Sequence, residues 1–491
     1  MSASPAASDG LPLVVDLDGT LILSDLLDES FLAALSARPF AALAALGPLL
    51  SRDRAALKRS LAGISDLDPT LVPLREDLLV HLRAEKATGR RLVLATASDE
   101  LLATPLAASL GLFDEVLASD GESNLGGEAK RTRLVSRFGE KGFDYAGDRR
   151  ADLPVFRSAR RAFLAGGGVR LRAEVEAAGT PVAASFPGPS RGLATLLRAL
   201  RVRQWVKNVL VFVPPVAGHF LDPATLLAAV VAFLALSVCA SAVYVLNDLM
   251  DLASDRRHPV KRSRAFASGE LPLRAGLFLV PLLVAVAAAL AAALPRGAQL
   301  LLAAYLLTTT LYTFLLKRKV LLDVFTLAFL YTLRVLLGGA ATNVPVSPWL
   351  LAFSVFIFLS LAFAKRASEL ASLRERGAEG ASGRDWFVWD SLVVHVLGVA
   401  SAYLSGMVLA IYIHSDDVKR LYAHPGWLWL LFPMLLYWSS RVWVLVARGA
   451  MDEDPIVFAM RDRVTWALAV VGGAVLLMAA RAPFGIPGLM E

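Results

Sequence analysis

Residues 247–264, NDLMDLASDRRHPVKRSR, decide how the chain is to be read. They end an apolar run, LLAAVVAFLALSVCASAVYVL (226–246), long enough to cross ~30 Å of hydrocarbon as a helix. On a helix, Asp248, Asp251 and Asp255 fall at about 0°, 300° and 340°, one stripe about 60° wide. Three carboxylates so placed form a ligand set of the hard-oxygen kind that divalent cations prefer. At a bilayer centre each would cost ~2.5–3.5 kcal/mol, together ~8–10, against ~5–11 kcal/mol from about eighteen apolar residues. The sums nearly cancel, so the acids must lie at a helix end or line a wet cavity. A polar loop serving topology alone would explain Arg256 to Arg264 but not the spacing of the acids.

Working outward, the whole chain of 491 residues is 56% hydrophobic with a mean hydropathy of +0.57, too apolar for an ordinary soluble protein. The excess is uneven. Up to about residue 190 charges recur every few positions; beyond about 203 the chain is a series of apolar runs. The single cysteine, Cys239, excludes an intramolecular disulfide framework. The net charge of +7 sits mainly in short loops between the runs, which argues for membrane orientation and anionic ligands and against nucleic acid. No repeat of fixed period is visible.

Nine runs are candidate spans, near 205–221, 225–247, 273–294, 298–316, 320–341, 346–364, 391–413, 427–447 and 464–482. Loops at 248–272, 317–319, 365–390 (with Arg384) and 448–463 are rich in Lys and Arg, and the alternating loops are poor, Lys419 and Arg420 excepted. The asymmetry predicts an integral protein of the inner (cytoplasmic) membrane, with its N-terminus in the cytosol and its C-terminus outside. MSASPAASDGLP has no basic or apolar stretch resembling a cleaved signal, so the first domain is expected in the cytosol. The expected organisation is an α/β domain over 1–183, a linker, ASFPGPSRG, with an interfacial helix (184–203), and an all-α bundle of nine transmembrane helices over 204–485.

The N-terminal domain carries its own acids. LPLVVDLDGTLILSD sets Asp16 and Asp18 at the end of a short apolar strand, on one side of it. Such a pair suits attack on phosphate, one carboxylate as nucleophile and one as acid and base. RRLVLATAS (90–98) supplies Thr96 as a donor to a phosphate oxygen, GGEAKRTRL supplies Lys130, and FDYAGDRRADLPV (143–155) supplies Asp148 and Asp152 as Mg²⁺ ligands. These four elements, in this order, resemble the haloacid dehalogenase superfamily over residues 11–180. The resemblance implies a Rossmann-like fold with a small helical cap at about 25–88. It implies that Asp16 forms an aspartyl-phosphate, that Asp18 protonates the leaving oxygen and activates water, and that Thr96 and Lys130 hold the phosphoryl group. Mg²⁺ would lie between Asp16, the Asp18 carbonyl, Asp148 and Asp152.

A second polar cluster lies far along the chain. FAKRASELASLRER (363–376) puts Lys365, Arg366 and Glu369 at another helix end, and Tyr312, Asp323 and Arg334 add polar groups to apolar spans, where such groups usually face a cavity. Residues 200–482 resemble the UbiA prenyltransferase superfamily, whose first-loop pattern stands here as Asn247, Asp248, Asp251, Asp255, Arg256, His258, Pro259, Lys261 and Arg262. The second aspartate-rich motif of the aromatic prenyltransferases is replaced by KRASEL. With WVKN (205–208), LRVLLGGAAT (333–342), AKRASEL (364–370) and DPIVFAMRD (454–462), the chain is similar to the decaprenyl-phosphate phosphoribosyltransferase branch. That branch implies transfer of 5-phosphoribose from phosphoribosyl pyrophosphate to a polyprenyl phosphate. Asp248, Asp251 and Asp255 would hold a second Mg²⁺ on the pyrophosphate, with Asn247, Arg256, His258, Lys261, Arg262, Tyr312, Arg334, Lys365, Arg366 and Glu369 binding substrate and Phe325, Phe329 and Leu333 lining a groove for the isoprenoid. The first domain, on the same cytosolic face, would then remove the 5-phosphate. An aromatic or quinone-precursor prenyltransferase joined to an unrelated phosphatase stays open as the alternative, as does a transporter or lipid-binding scaffold regulated by its first domain.

Overall fold

The computed structural model describes residues 10–49, 53–189, 192–377, 379–380, 385–451 and 455–481. Residues 1–9, Arg384 and Asp454, used above, lie outside them. The chain forms two compact units, Met1–Arg201 with Tyr244–Pro281, and Val202–Val243 with Leu282–Glu491. The stretch that ends the first strong apolar run thus belongs with the α/β domain rather than with the bundle that surrounds it in sequence.

The first unit is built on strands β1 (Leu13–Val15), β2 (Leu92–Asp99), β3 (Glu115–Ser119), β4 (Asp144–Gly147), β5 (Ala162–Ala165) and β6 (Val182–Phe186). All neighbours are parallel and their order is β3-β2-β1-β4-β5-β6. Apolar side chains fill both faces: Leu13, Val15, Leu92 and Leu94 on one, Val14, Val93, Ala95 and Tyr145 on the other. Burial on both sides explains why these strands read as apolar runs without alternation. The chain runs outward from β1 to β3 and returns to β4 beside β1, so the order reverses there, and a ligand crevice forms at the carboxyl ends of the strands.

Between β1 and β2 lie α1 (Leu26–Ala37), α2 (Pro39–Ala44), α3 (Arg54–Ile64) and α4 (Glu76–Ala87). Helices α1 to α3 share a small cluster of their own, including Leu27, Phe31, Leu57 and Leu61. The expected cap of 25–88 is shorter than that, because Leu78, Leu79 and Leu82 of α4 are buried in the core of the sheet. The expected linker from 184 also begins later, since Ala184, Ser185 and Phe186 pair with β5. Helices α5 (Glu100–Leu110), α6 (Gly127–Phe138), α7 (Leu153–Ser158) and α8 (Gly168–Ala177) complete the layers, and α9 (Leu193–Ala199) follows with Leu193 and Leu197 exposed.

The bundle takes eight helices long and apolar enough to cross a membrane, among the described residues: Pro223–Met250, Leu273–Ala291, Arg296–Phe314, Leu322–Thr342, Pro348–Glu375, Val388–His414, Pro425–Ala447 and Arg463–Ala480. The ninth expected span, 205–221, is instead a 3₁₀ segment, Val202–Phe212, followed by one short helix, Val213–Ala217. Pro214 and Pro215 bring no N–H to an α-helical ladder, and the helix caps at Gly218. Gly338 permits a close approach within the bundle, since a Cβ there would stand 2.0 Å from the Val211 carbonyl oxygen.

Candidate active sites

At the reversal of strand order the phosphatase residues converge. Asp16 follows β1, Asp148 follows β4, and one carboxylate oxygen from each of Asp16, Asp148 and Asp152 lies within 4.8 Å of the others. Lys130, buried on α6, donates to Asp16 Oδ1 at 2.6 Å and to Tyr145 Oη at 3.2 Å, and stands 3.7 Å from Asp152. Burial pulls its ammonium down, but Asp16 and Asp152 hold it above its ordinary value. Thr20 Oγ1 spans Asp16 and Asp148 at 3.4 and 3.3 Å. Burial, opposed by Arg149 and reinforced by Asp16, pushes Asp148 up to about 7, and burial with Asp16 raises Asp152 as well. Three carboxylates gathered this closely suit a divalent cation, which would offset their mutual repulsion. Arg149 reaches the same crevice, its Nη2 donating to the Asp18 carbonyl at 3.1 Å and its Nε to Asp148 at 3.2 Å.

Asp18 is held apart from those ligands. Its Oδ1 accepts from the Leu26 N–H at 2.8 Å and its Oδ2 from Ser98 Oγ at 2.6 Å, with Thr96 Oγ1 at 3.4 Å. Burial, then Asp25 and Asp16, push it up to about 7. A carboxyl that keeps its proton near neutrality can donate it to a leaving oxygen. A cavity of about 580 Å³ adjoins the site, lined by Gly19, Asp25, Asp28, Asp148, Arg149 and Arg274 among others. Thr20, Asp25, Ser98, Tyr145 and Arg149 all stand inside the stretches quoted above, but nothing in their type or spacing singles them out.

Around the acid stripe the helix is not continuous. It ends at Met250 and resumes at Leu252, although Asp251 N and Asp255 N still bond to carbonyls four residues back. Asp248 and Asp255 keep one side. Arg264 Nη1 bridges them at 3.3 and 2.6 Å, and Arg201 also pairs with Asp248. Burial raises the Asp255 carboxyl against the pull of Arg264. The stripe therefore carries a guanidinium between its acids, and Asp251 lies at the break, half-buried, near half-buried Asn247. His258 Nδ1 accepts from Val260 and Lys261 N–H groups, so its ring closes the turn; Lys261 is half-buried and Arg262 exposed. Arg256, expected to meet substrate, is engaged elsewhere: it forms a bidentate pair with Glu29 of α1 at 2.9 and 2.7 Å.

In the bundle Arg366 is almost wholly buried and pairs with Asp323 and Glu369, while Trp386 Nε1 donates to Asp323 at 3.1 Å. The expected bare cation is thus neutralised, with half-buried Lys365 beside it. Arg334 is caged, donating to Asn208 Oδ1 at 2.9 Å, to the Leu330 carbonyl and to Tyr305 Oη at 3.1 Å, with its guanidinium over the Tyr305 and Tyr331 rings. A cation so satisfied acts as a lock between segments. Tyr312 is half-buried. Of the expected groove, Phe325 and Phe329 are exposed, but Leu333 is fully buried and faces the core instead. An apolar cavity of about 740 Å³ lies elsewhere in the bundle, lined by Pro214, Trp349, Phe353, Tyr412 and Leu476 among others.

A model of the UbiA prenyltransferase family matches residues 211–460, and one of haloacid dehalogenase-like hydrolases matches residues 13–157. An uncharacterized protein, y4nM, from Sinorhizobium fredii is 36% identical over 471 residues, 96% of this chain and 91% of that protein. The nodulation protein NoeC of Azorhizobium caulinodans is 34% identical over 58% of this chain and 94% of its own length. A decaprenyl-phosphate phosphoribosyltransferase of Mycobacterium tuberculosis is 30% identical over 58% of this chain and 96% of its own length.

Proposed function

The chain belongs to the UbiA prenyltransferase family, with a haloacid dehalogenase-like hydrolase domain ahead of the membrane bundle, and from that premise we propose that it makes a lipid-linked pentose in two steps. The bundle transfers 5-phosphoribose from phosphoribosyl pyrophosphate to a polyprenyl phosphate, and the first domain removes the 5-phosphate. The observation that carries this reading is the similarity of the membrane half to a phosphoribosyltransferase over 96% of that enzyme's length, in one chain with a phosphate-ester site. The product of such a transfer bears the phosphomonoester that a phosphatase consumes.

In the first step the ribose C1–oxygen bond to pyrophosphate breaks and its electron pair leaves with the pyrophosphate. An oxygen of the lipid phosphate, already an anion, forms the new bond at C1 without a general base. Asp248, Asp251 and Asp255 would hold a divalent cation that neutralises the donor's pyrophosphate, and Arg201 and Arg264 beside them offset charge on the departing pyrophosphate. Asn247, His258, Lys261 and Arg262 frame the same loop, while Lys365 meets a phosphate beside the Arg366, Asp323 and Glu369 cluster.

In the second step Asp16 attacks phosphorus. The ester bond breaks toward the sugar oxygen, which takes the proton of Asp18. Asp18 then accepts a proton from water, whose oxygen displaces Asp16 and releases inorganic phosphate. Lys130 donates to Asp16 and lies close to the phosphoryl oxygens, and Thr96 with Ser98 fixes Asp18. A Mg²⁺ held by Asp16, Asp148 and Asp152 would neutralise the phosphoryl oxygens. Both sites share the cytosolic side in this reading. The pairing of Arg256 with Glu29 supports it, since the loop after a membrane helix then lies on the phosphatase's own side.

Membranes holding the chain, given labelled phosphoribosyl pyrophosphate and polyprenyl phosphate, test the sequence of steps. Asp16→Asn should let the 5-phosphorylated lipid accumulate in place of the dephosphorylated product. If the variant gives the same lipid as the wild type, the two-step scheme is wrong.

A further inference from the structure

The first helix of the cap is anchored by residues more than two hundred positions away. Asp25 caps α1, accepting from Leu27 N–H at 3.1 Å, and its other oxygen accepts from Arg274 Nη2 at 2.8 Å. Arg274 Nε donates to Asp28 at 2.9 Å. One residue on, the buried Glu29 takes both arms of Arg256, whose Nε donates to the Ala267 carbonyl at 3.1 Å. At the far end of α1, Ser36 Oγ donates to the Met250 carbonyl at 3.1 Å. Three carboxylates crowd the first turn of α1. A helix N-terminus attracts acids, but buried neighbours of like sign repel, and burial with Asp25 pushes Asp28 up to about 6 despite Arg274. Two arginines of segment 250–274 therefore decide where this turn can sit. The turn in turn supplies the Leu26 N–H that holds Asp18 Oδ1 at 2.8 Å.

We propose that Arg274 and Arg256 are positioning residues of the phosphatase: they seat the start of α1 and, through the Leu26 N–H, aim the carboxyl of Asp18 at the leaving oxygen. The inference rests on Asp18 acting as the acid, as argued above. The first loop of the membrane half then governs one half of the chemistry, proton delivery, and leaves nucleophilic attack by Asp16 alone. Arg274 also lines the cavity beside Asp148, where a leaving group would lie.

Leaving-group dependence separates this from a merely structural role. An alkyl ester such as ribose 5-phosphate needs its leaving oxygen protonated, whereas 2,4-dinitrophenyl phosphate does not. With the full chain in detergent and saturating Mg²⁺, Arg274→Ala should lower kcat on ribose 5-phosphate by about 10- to 100-fold with KM little changed, and lower it on the aryl ester by less than about threefold. Arg274→Lys should recover part of the loss, and Arg256→Lys should show the same split more weakly. Equal losses on both esters, or none on either, overturn the proposal. Asp18→Asn is the control: if it slows both esters alike, the acid role itself fails, a result distinct from failure of Arg274 to serve it. A wild-type chain that turns over neither ester removes the phosphatase reading and this proposal together.

Discussion

Replacing Gly19 by Ala should silence the phosphatase while leaving the fold and the transferase standing. Gly19 adopts φ +80°, and a Cβ there would lie 2.2 Å from Asp148 Oδ2 and 2.9 Å from its Cγ. Restoring an ordinary contact of 3.4 Å means moving that carboxylate by about 1.2 Å. Asp148 has little freedom to yield, since Thr20 Oγ1 and Arg149 Nε hold its two oxygens at 3.3 and 3.2 Å. The backbone conformation adds ~1–2 kcal/mol of strain for a residue with a side chain, tolerable for a domain whose strands β1, β4 and β5 are buried throughout. A displacement near 1 Å at a reacting site costs on the order of 10²-fold in rate. The assay is phosphate release from ribose 5-phosphate by the purified full chain at saturating Mg²⁺, with labelled-donor transfer measured in parallel. Activity within about threefold of wild type would show that Asp148 does not need this position, and the placement of the metal ligands would have to be abandoned.

Three further outcomes follow from named groups. Asp144, fully buried against Arg90 and Arg160, is held below the ordinary carboxylate value; burial works against that, and the arginines prevail. Its stabilising effect is therefore present above pH ~4 and lost as pH falls through its lower folded value. Asp144→Ala should cost ~3 kcal/mol, because Arg90 loses a buried partner and keeps only the carboxylate of Glu85, read by thermal unfolding. Asp18, raised to about 7, carries its proton below that pH and loses it above. Acyl-phosphate formation from alkyl esters should accordingly fall about tenfold per pH unit beyond 7, which quench-flow labelling would detect. In the bundle, Asp323→Leu leaves buried Arg366 with Glu369 alone and should reduce folded yield, while Asp323→Leu with Arg366→Met should recover much of it, since a buried pair exchanged for apolar groups is often close to neutral; a double variant no better than the single contradicts that pairing.

The phosphatase acids were legible because each follows a short apolar strand, and strand ends of a doubly wound sheet must converge where the order reverses. Thr96 stands on a strand itself, β2, whereas Lys130 lies on α6 and is legible only from its order among the other motifs. Arg149 was not: adjacent to a motif acid in sequence, it takes its role from reaching back to the Asp18 carbonyl across 131 positions. Asp248 and Asp255 were rightly placed on one side, but the arginine between them came from a run of cations that sequence reads equally well as topology. Arg366 is the converse case. A cation at a helix end looks available until the chain folds Asp323, 43 residues earlier, against it. The short 205–221 segment shows how two adjacent prolines outweigh apolar composition when a span is counted.

The unit that holds the phosphatase is assembled from two stretches of sequence, Met1–Arg201 and Tyr244–Pro281. Glu29 with Arg256, Asp68 with Arg257, and Asp25 and Asp28 with Arg274 are among the charges that join them, with Arg198–Glu270 and Arg201–Asp248. A chimera cut in the linker near residue 190, with a foreign phosphatase in front, would strand three arginines of the retained loop opposite surfaces chosen for another partner. Domain exchange in this protein is thus a problem of two cuts rather than one, and the acids and arginines of α1 and the loop should be inherited as a set.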